Sequence, residues 1–74
     1  MTVYTGRGCH LCERALEVLE DVRVEHPFTL EIVDITDDPA LERAYRELLP
    51  VVEIDGRRAF HHVVSPADLR ARLA

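Results

Sequence analysis

Two cysteines three residues apart, in Gly8-Cys9-His10-Leu11-Cys12-Glu13, constrain this chain more than any other feature. They are its only cysteines, and they sit where the residue pattern changes. Before them, Thr2 to Tyr4 reads as a short strand and Gly6-Arg7-Gly8 as a flexible loop. From His10 to about Val24 the apolar residues Leu11, Ala15, Val18, Leu19 and Val22 recur at helical spacing, with Glu13, Arg14, Glu17, Glu20 and Asp21 on the other face. Any fold must therefore bring a strand end, a tight loop and a helix start together around a thiol. A chain of 74 residues is one small domain that buries only about 60% of its unfolded surface, so it gains from staples. A Cys9–Cys12 disulfide is a poor staple, because it closes too short a loop to restrain the unfolded chain much. The pair is better explained by its chemistry.

The remaining punctuation is equally explicit. His26-Pro27 ends the first helix. Phe28, Leu30 and Ile32 alternate with Thr29 and Glu31, and Val33 and Ile35 continue the run, which predicts a strand buried on both faces toward its end. Asp37-Asp38-Pro39 starts a second helix, with Asp38 as N-cap and Pro39 at the first helical position. Leu41, Ala44, Tyr45 and Leu48 form its apolar stripe, and Pro50 stops it. Val51 to Ile54 is a strand, Asp55-Gly56 a two-residue hairpin turn, and Ala59 to Val64 the partner strand. Ser65 and Pro66 open a last helix carrying Leu69 and Leu73. The order β-α-β-α-β-β-α over residues 1–74 predicts an α/β fold with a four-stranded mixed sheet and helices on both faces. Its first two strands are expected to run parallel, through a right-handed crossover.

Composition narrows the function. The formal net charge of −5 argues against a nucleic-acid binder, which needs a basic face. No apolar run approaches the roughly 20 residues that cross a bilayer, so no membrane role is expected. Met1 is followed by polar and small residues rather than an apolar leader, and two cysteines without an export signal suggest the cytoplasm. There a C-x-x-C pair is catalytic or metal-binding.

The element order, the C-x-x-C at the first strand–helix junction and Pro50 just before the third strand together resemble a minimal thioredoxin fold of the glutaredoxin-like kind. Val3-Tyr4-Thr5-x-x-x-Cys9-x-x-Cys12 is similar to the start of small glutaredoxins and their thioredoxin-reductase-linked relatives. Gly8-Cys9-His10-Leu11-Cys12-Glu13, Val33-Asp34-Ile35 and Pro50-Val51-Val52-Glu53-Ile54-Asp55-Gly56 look closer to short bacterial glutaredoxin-like proteins. The chain departs from glutaredoxins in four places. His10-Leu11 replaces Pro-Tyr between the cysteines, and Gly6 stands where Lys or Arg is common. Leu48-Leu49-Pro50 replaces Thr-Val-Pro, and Val63-Val64-Ser65-Pro66 replaces the Gly-Gly-x-Asp that holds the γ-glutamyl end of glutathione.

The resemblance implies a thiol–disulfide oxidoreductase that reduces disulfides or glutathionylated thiols of proteins. Cys9 at the helix N-cap is the expected nucleophile and Cys12, one turn inside, the resolving thiol. Bringing a thiol from about 8.5 to about 7 needs roughly 2 kcal/mol, of which the helix dipole contributes about 0.3–1. The remainder is expected from the Leu11 and Cys12 amides and from charge on Arg7 or His10, giving Cys9 a pKa of about 6–7.5. The resemblance further implies a cis Leu49-Pro50 bond beside Cys9, with Arg7, His10, Leu11, Leu49 and Pro50 contacting substrate. Tyr4 reads as core packing. No bound cofactor is expected. Glutathione or a thioredoxin-reductase-type donor would be the co-substrate, and the protein is expected to be a monomer.

Two other readings of the pair stay open. One is a redox sensor or metal module, with zinc held by the two cysteines and one of His10, His61 or His62, or an iron–sulfur cluster shared between subunits. His61 and His62, as strand neighbours, are expected to point to opposite faces, so that only one reaches any given site. The other is a pair of inert, buried cysteines.

Overall fold

The computed structural model describes residues 1–74. Its elements are β1 (Thr2–Thr5), α1 (His10–Glu25), β2 (Glu31–Asp34), α2 (Pro39–Tyr45), β3 (Val51–Ile54), β4 (Arg57–His61) and α3 (Pro66–Leu73). This is the order the punctuation predicts. One four-stranded sheet runs β2-β1-β3-β4, with β1 and β2 parallel and the β1–β3 and β3–β4 pairs antiparallel. The architecture is a mixed α/β sheet of thioredoxin-like type.

Each break has its local cause. Asp38 Oδ1 accepts from the amides of Ala40 (3.0 Å) and Leu41 (3.1 Å), and Ser65 Oγ from that of Asp68 (3.3 Å), so both helix starts satisfy donors that would otherwise be orphaned. Pro39 and Pro66 sit in the first helical turns, where no intrahelical N–H is needed. Asp55 (φ 53°) and Gly56 (φ 78°) both take positive φ, as a type I′ hairpin turn requires.

The two faces of the sheet are covered unequally. Val3 of β1 and Val52 of β3 point the same way and join Ala15, Leu19 and Val22 of α1, Val64, and Leu69 of α3 in one buried cluster. Alternation sends Tyr4, Val51 and Glu53 to the opposite face, where α2 lies. There Tyr4 and Tyr45 stack with ring centroids 4.8 Å apart, and both hydroxyls donate to the Glu53 carboxylate, at 3.2 and 3.4 Å. No residue within α2 is fully buried. Tyr4 is thus half-buried in a polar clamp rather than part of the main core.

Three expectations on the elements are corrected. The second strand is not buried on both faces: β2 spans only Glu31–Asp34, and Ile32 is 55% exposed. It is an edge strand that pairs with β1 alone, so nothing covers its outer side. Phe28 and Leu30 pack on the core from the loop before it. The last strand begins at Arg57 and ends at His61, because a two-residue turn at Asp55-Gly56 sets Arg57 directly opposite Ile54. A register shift then leaves Ala59 as the extra residue of a bulge. Finally, α2 stops at Tyr45, followed by a turn in which the Leu48 amide donates to the Tyr45 carbonyl (2.8 Å), so Ala44 and Leu48 do not form a continuous buried stripe with Leu41.

Candidate redox site

The loop from β1 to α1 delivers Cys9 to the helix N-cap with extended backbone angles (φ −97°, ψ 101°). Gly8 precedes it at φ +68° with open space around its Cα, so glycine is needed there for backbone conformation and not for room. Cys9 Sγ accepts a hydrogen bond from the Cys12 amide at 3.1 Å. That donor is one of the two the sequence pointed to, and it aims a free helix-terminal N–H at the sulfur. Cys9 is half-buried. Cys12, one turn inside α1, is only 3% exposed. The two are joined in a disulfide with their Cα atoms 5.2 Å apart. One sulfur is therefore reachable and supported by an amide, and the other is shielded.

The residues expected to contact substrate fall in three places. Leu49-Pro50 is cis, and Pro50 is buried at the head of β3, where the β1–β3 register sets it level with Thr5 and the start of the cysteine loop. Leu49 leans over Gly6: a Cβ added to Gly6 would lie 2.7 Å from Leu49 Cδ1. The absence of a side chain at position 6 and the presence of a leucine at position 49 are thus one packing event. Leu11 lies 42% exposed between the two cysteines. Neither His10 nor Arg7 hydrogen-bonds to the Cys9 sulfur, which accepts from the Cys12 amide. The His10 side chain is 94% exposed and turns toward Glu13, with Nδ1···Oε2 at 3.8 Å. The Arg7 charge acts on Asp34, whose carboxyl is held below its ordinary value of 3.8 first by hydrogen bonding from the Thr36 side chain and amide (N···Oδ1 2.8 Å) and then by Arg7.

His61 and His62 overturn their expected geometry. They do not point to opposite faces, because His62 is not extended. It takes φ +65°, and the Val63 amide bonds back to the His61 carbonyl at 2.8 Å, closing a three-residue γ-turn. Their Nδ1 atoms come within 3.2 Å. The His62 amide reaches both the Pro50 carbonyl (3.0 Å) and the Leu48 carbonyl (3.2 Å), and its ring Nε2 contacts the Glu47 carbonyl at 2.6 Å. His62 therefore ties the end of β4 to the segment leading into Pro50. Sequence reasoning missed this role, since a positive φ at a histidine carries no sequence signal comparable to glycine. No three His, Cys, Asp or Glu side chains gather as a metal-ligand set. No helix is long and apolar enough to cross a membrane.

Comparison with known proteins places the chain in a family. The profile of the Glutaredoxin-like domain (DUF836) matches residues 1–74. The chain is similar to the uncharacterized proteins Rv0508 of Mycobacterium tuberculosis and Mb0520 of Mycobacterium bovis, at 33% identity over 75 residues that cover 95% of this chain and 77% of each relative. Among solved structures it is similar to the X-ray structure of XcR50 from X. campestris (TM-score 0.82, 36% identity, 97% of this chain and 92% of that one). It is also similar to the solution NMR structure of Ne2328 from Nitrosomonas europaea (TM-score 0.81, 28% identity, 99% and 88%). A glutaredoxin-like domain carrying a Cys9–Cys12 disulfide supports a thiol redox role.

Proposed function

The chain belongs to the glutaredoxin-like domain family (DUF836), and from that premise we propose that it is a dithiol oxidoreductase that reduces disulfides or glutathionylated thiols of proteins in the cytoplasm. The observation that carries this reading is the asymmetry of the pair: a half-buried N-cap sulfur bonded to a helix amide, beside a shielded partner one turn away. The amide bond and the helix dipole favour the thiolate of Cys9 over its thiol, so Cys9 is the nucleophile. It attacks a substrate disulfide, and one substrate thiolate leaves as the mixed disulfide forms. The Cys12 thiolate then attacks the Cys9 sulfur, and the second substrate thiolate leaves as the Cys9–Cys12 disulfide closes. Two electrons have passed from the pair to the substrate. Glutathione or a thioredoxin-reductase-type donor returns them, with no bound cofactor needed. Leu11, Leu49 and Pro50 border the reacting sulfur, and Arg7 and His10 meet the substrate farther out.

An equilibrium titration of the pair in glutathione and dithiothreitol buffers tests the reading. A reversible two-electron transition between about −180 and −280 mV is expected. Cys9→Ser should abolish disulfide reduction, while Cys12→Ser should accumulate mixed disulfides on Cys9. A pair that shows no reversible transition would overturn the proposal, and a Cys12→Ser protein that traps nothing would reverse the roles of the two thiols.

A further inference from the structure

Four large apolar side chains are prominently exposed: Leu11 (42%), Val24 (84%), Ile32 (55%) and Val63 (67%). Val24 and Ile32 stand singly, on the far end of α1 and on the edge strand, and isolated surface apolar residues are ordinary. Leu11 and Val63 differ because they share one concavity. A groove of ≈ 220 Å³ runs between α1 and the segment after β4, walled by Leu11, Ala15, Val18, Val63 and Val64, with the polar side chains of Arg14 and His62 also lining it.

The chain departs from regular structure to build this groove. A strand continued through His62 would carry on the alternation of β4. That alternation would send His62 to the core side with Phe60 and Val64, whereas the γ-turn holds His62 at φ +65° and keeps it exposed, with Val64 in the core and Val63 outside. Strained backbone of this kind concentrates where a surface has work to do. The groove is smaller than the roughly 300–1,000 Å³ of sites for whole small molecules, so it suits one aliphatic side chain. It also begins beside the reacting centre: Leu11, which lines it, lies between Cys9 and Cys12 in the chain. Arg14 forms no ion pair within the chain, which leaves its charge available to an acidic group on a bound peptide.

We infer that this groove receives an aliphatic side chain next to the reacting cysteine of a protein substrate, so that the enzyme selects cysteines in apolar sequence over glutathione. The inference rests on the redox reading proposed above. During reduction the thiolate of Cys9 displaces one thiolate from the substrate disulfide while the neighbouring aliphatic side chain occupies the groove. Resolution by Cys12 then frees the substrate thiolate, and a dithiol reductant restores the pair.

The test uses three disulfides against the reduced protein: two blocked peptides, each with its cysteine joined to 2-mercaptoethanol and flanked by either leucines or serines, and glutathione disulfide. The leucine peptide should react about tenfold or more faster than the serine peptide or glutathione disulfide, in line with what an apolar pocket gains from one aliphatic group. Val63→Glu should bring the two peptide rates together, whereas Val24→Glu, outside the groove, should preserve the preference. Equal rates for all three disulfides in the unaltered protein would overturn the groove's role and leave the redox reading standing, as would a preference for glutathione disulfide. Failure to reduce any of the three would overturn the redox reading and the inference together. A concentration-dependent dimer dispersed by Val63→Glu would assign the groove to a second copy of the chain and overturn the inference.

Discussion

The two faces of the sheet are held by different physics. On the α1–α3 face a single cluster of seven side chains is almost wholly removed from water. On the α2 face a short helix with no fully buried residue is fastened by two tyrosine hydroxyls sharing the carboxylate of Glu53. The first face supplies stability through area removed from water. The second supplies direction, since hydrogen bonds fix geometry while adding only about 0.5–1.5 kcal/mol each. The cysteine loop lies between the two regimes. Cys12 is buried on α1, while Leu49-Pro50 leads into β3 from the α2 side.

The comparison breaks most visibly in the core. Leu19→Ala removes a side chain with no exposed surface and is expected to cost about 2–5 kcal/mol. In a domain this small that is a large part of the total, which runs near the low end of about 5–15 kcal/mol. Leu41→Ala, on half-buried α2, should cost about 1 kcal/mol or less. Urea denaturation of the two variants measures both. Equal losses would mean that α2 is as much a part of the core as α1.

The next largest effect lies at the junction. Gly6→Ala places a Cβ 2.7 Å from Leu49 Cδ1, and such overpacking costs about 1–3 kcal/mol unless the leucine swings away. Leu49→Ala makes the room. The double variant should therefore be more stable than the sum of the single losses, and the coupling in a double-mutant cycle measures the contact. Additive losses would show that Leu49 is free to move and that positions 6 and 49 are independent.

Much of this was legible in the residues because each signal was local. Cys9, Asp38 and Ser65 cap helices with their own side chains, prolines mark two helix starts, and Asp55-Gly56 specifies its turn. What was misread depends on neighbours far away in sequence. Ile35 is buried, one residue past β2, but Ile32 is 55% exposed, because cover on each face of an edge strand comes from elements distant in sequence. The γ-turn at His62 is held by the carbonyls of Glu47, Leu48 and Pro50, fourteen or so residues back, so no window of sequence around His62 reveals it. The Gly6–Leu49 contact is similar: both residues stood out as departures, but only the β1–β3 pairing brings them together.

On the polar face, Glu53→Gln should cost about 1 kcal/mol, because it replaces a charged acceptor of two half-buried hydroxyls by a neutral one. It carries a second signature. Desolvation by burial, then the hydrogen bond to Glu53 and that carboxylate's charge, push the Tyr4 phenol above its usual 10.0. A raised folded-state pKa stabilises the native protein fully below pH 10 and is lost as pH rises through the folded value. The protein should therefore lose stability above about pH 10, and Glu53→Gln should bring the Tyr4 titration down toward the ordinary range. Ultraviolet titration of tyrosinate reads the shift. An unchanged Tyr4 titration would mean that burial alone sets it.

The smallest effect falls at the rim of the cysteine loop and has the opposite sign with pH. Asp34 sits at the end of β2, bonded to Thr36 and facing the charge of Arg7, and its pKa lies below 3.8. A depressed carboxyl stabilises the fold above its unfolded pKa, and that contribution disappears as pH falls through the lower, folded value. Asp34 is at the surface, so the change is confined to the acid limb below about pH 4 and leaves neutral stability nearly untouched. Melting temperature against pH for Asp34→Asn should therefore merge with that of the unaltered protein in acid and separate slightly above it. Arg7→Ala should reproduce a fraction of the same separation, since Thr36 contributes more than Arg7. If Arg7→Ala instead matched Asp34→Asn in full, the arginine rather than the Asp34–Thr36 turn would be what holds the end of β2 against the cysteine loop.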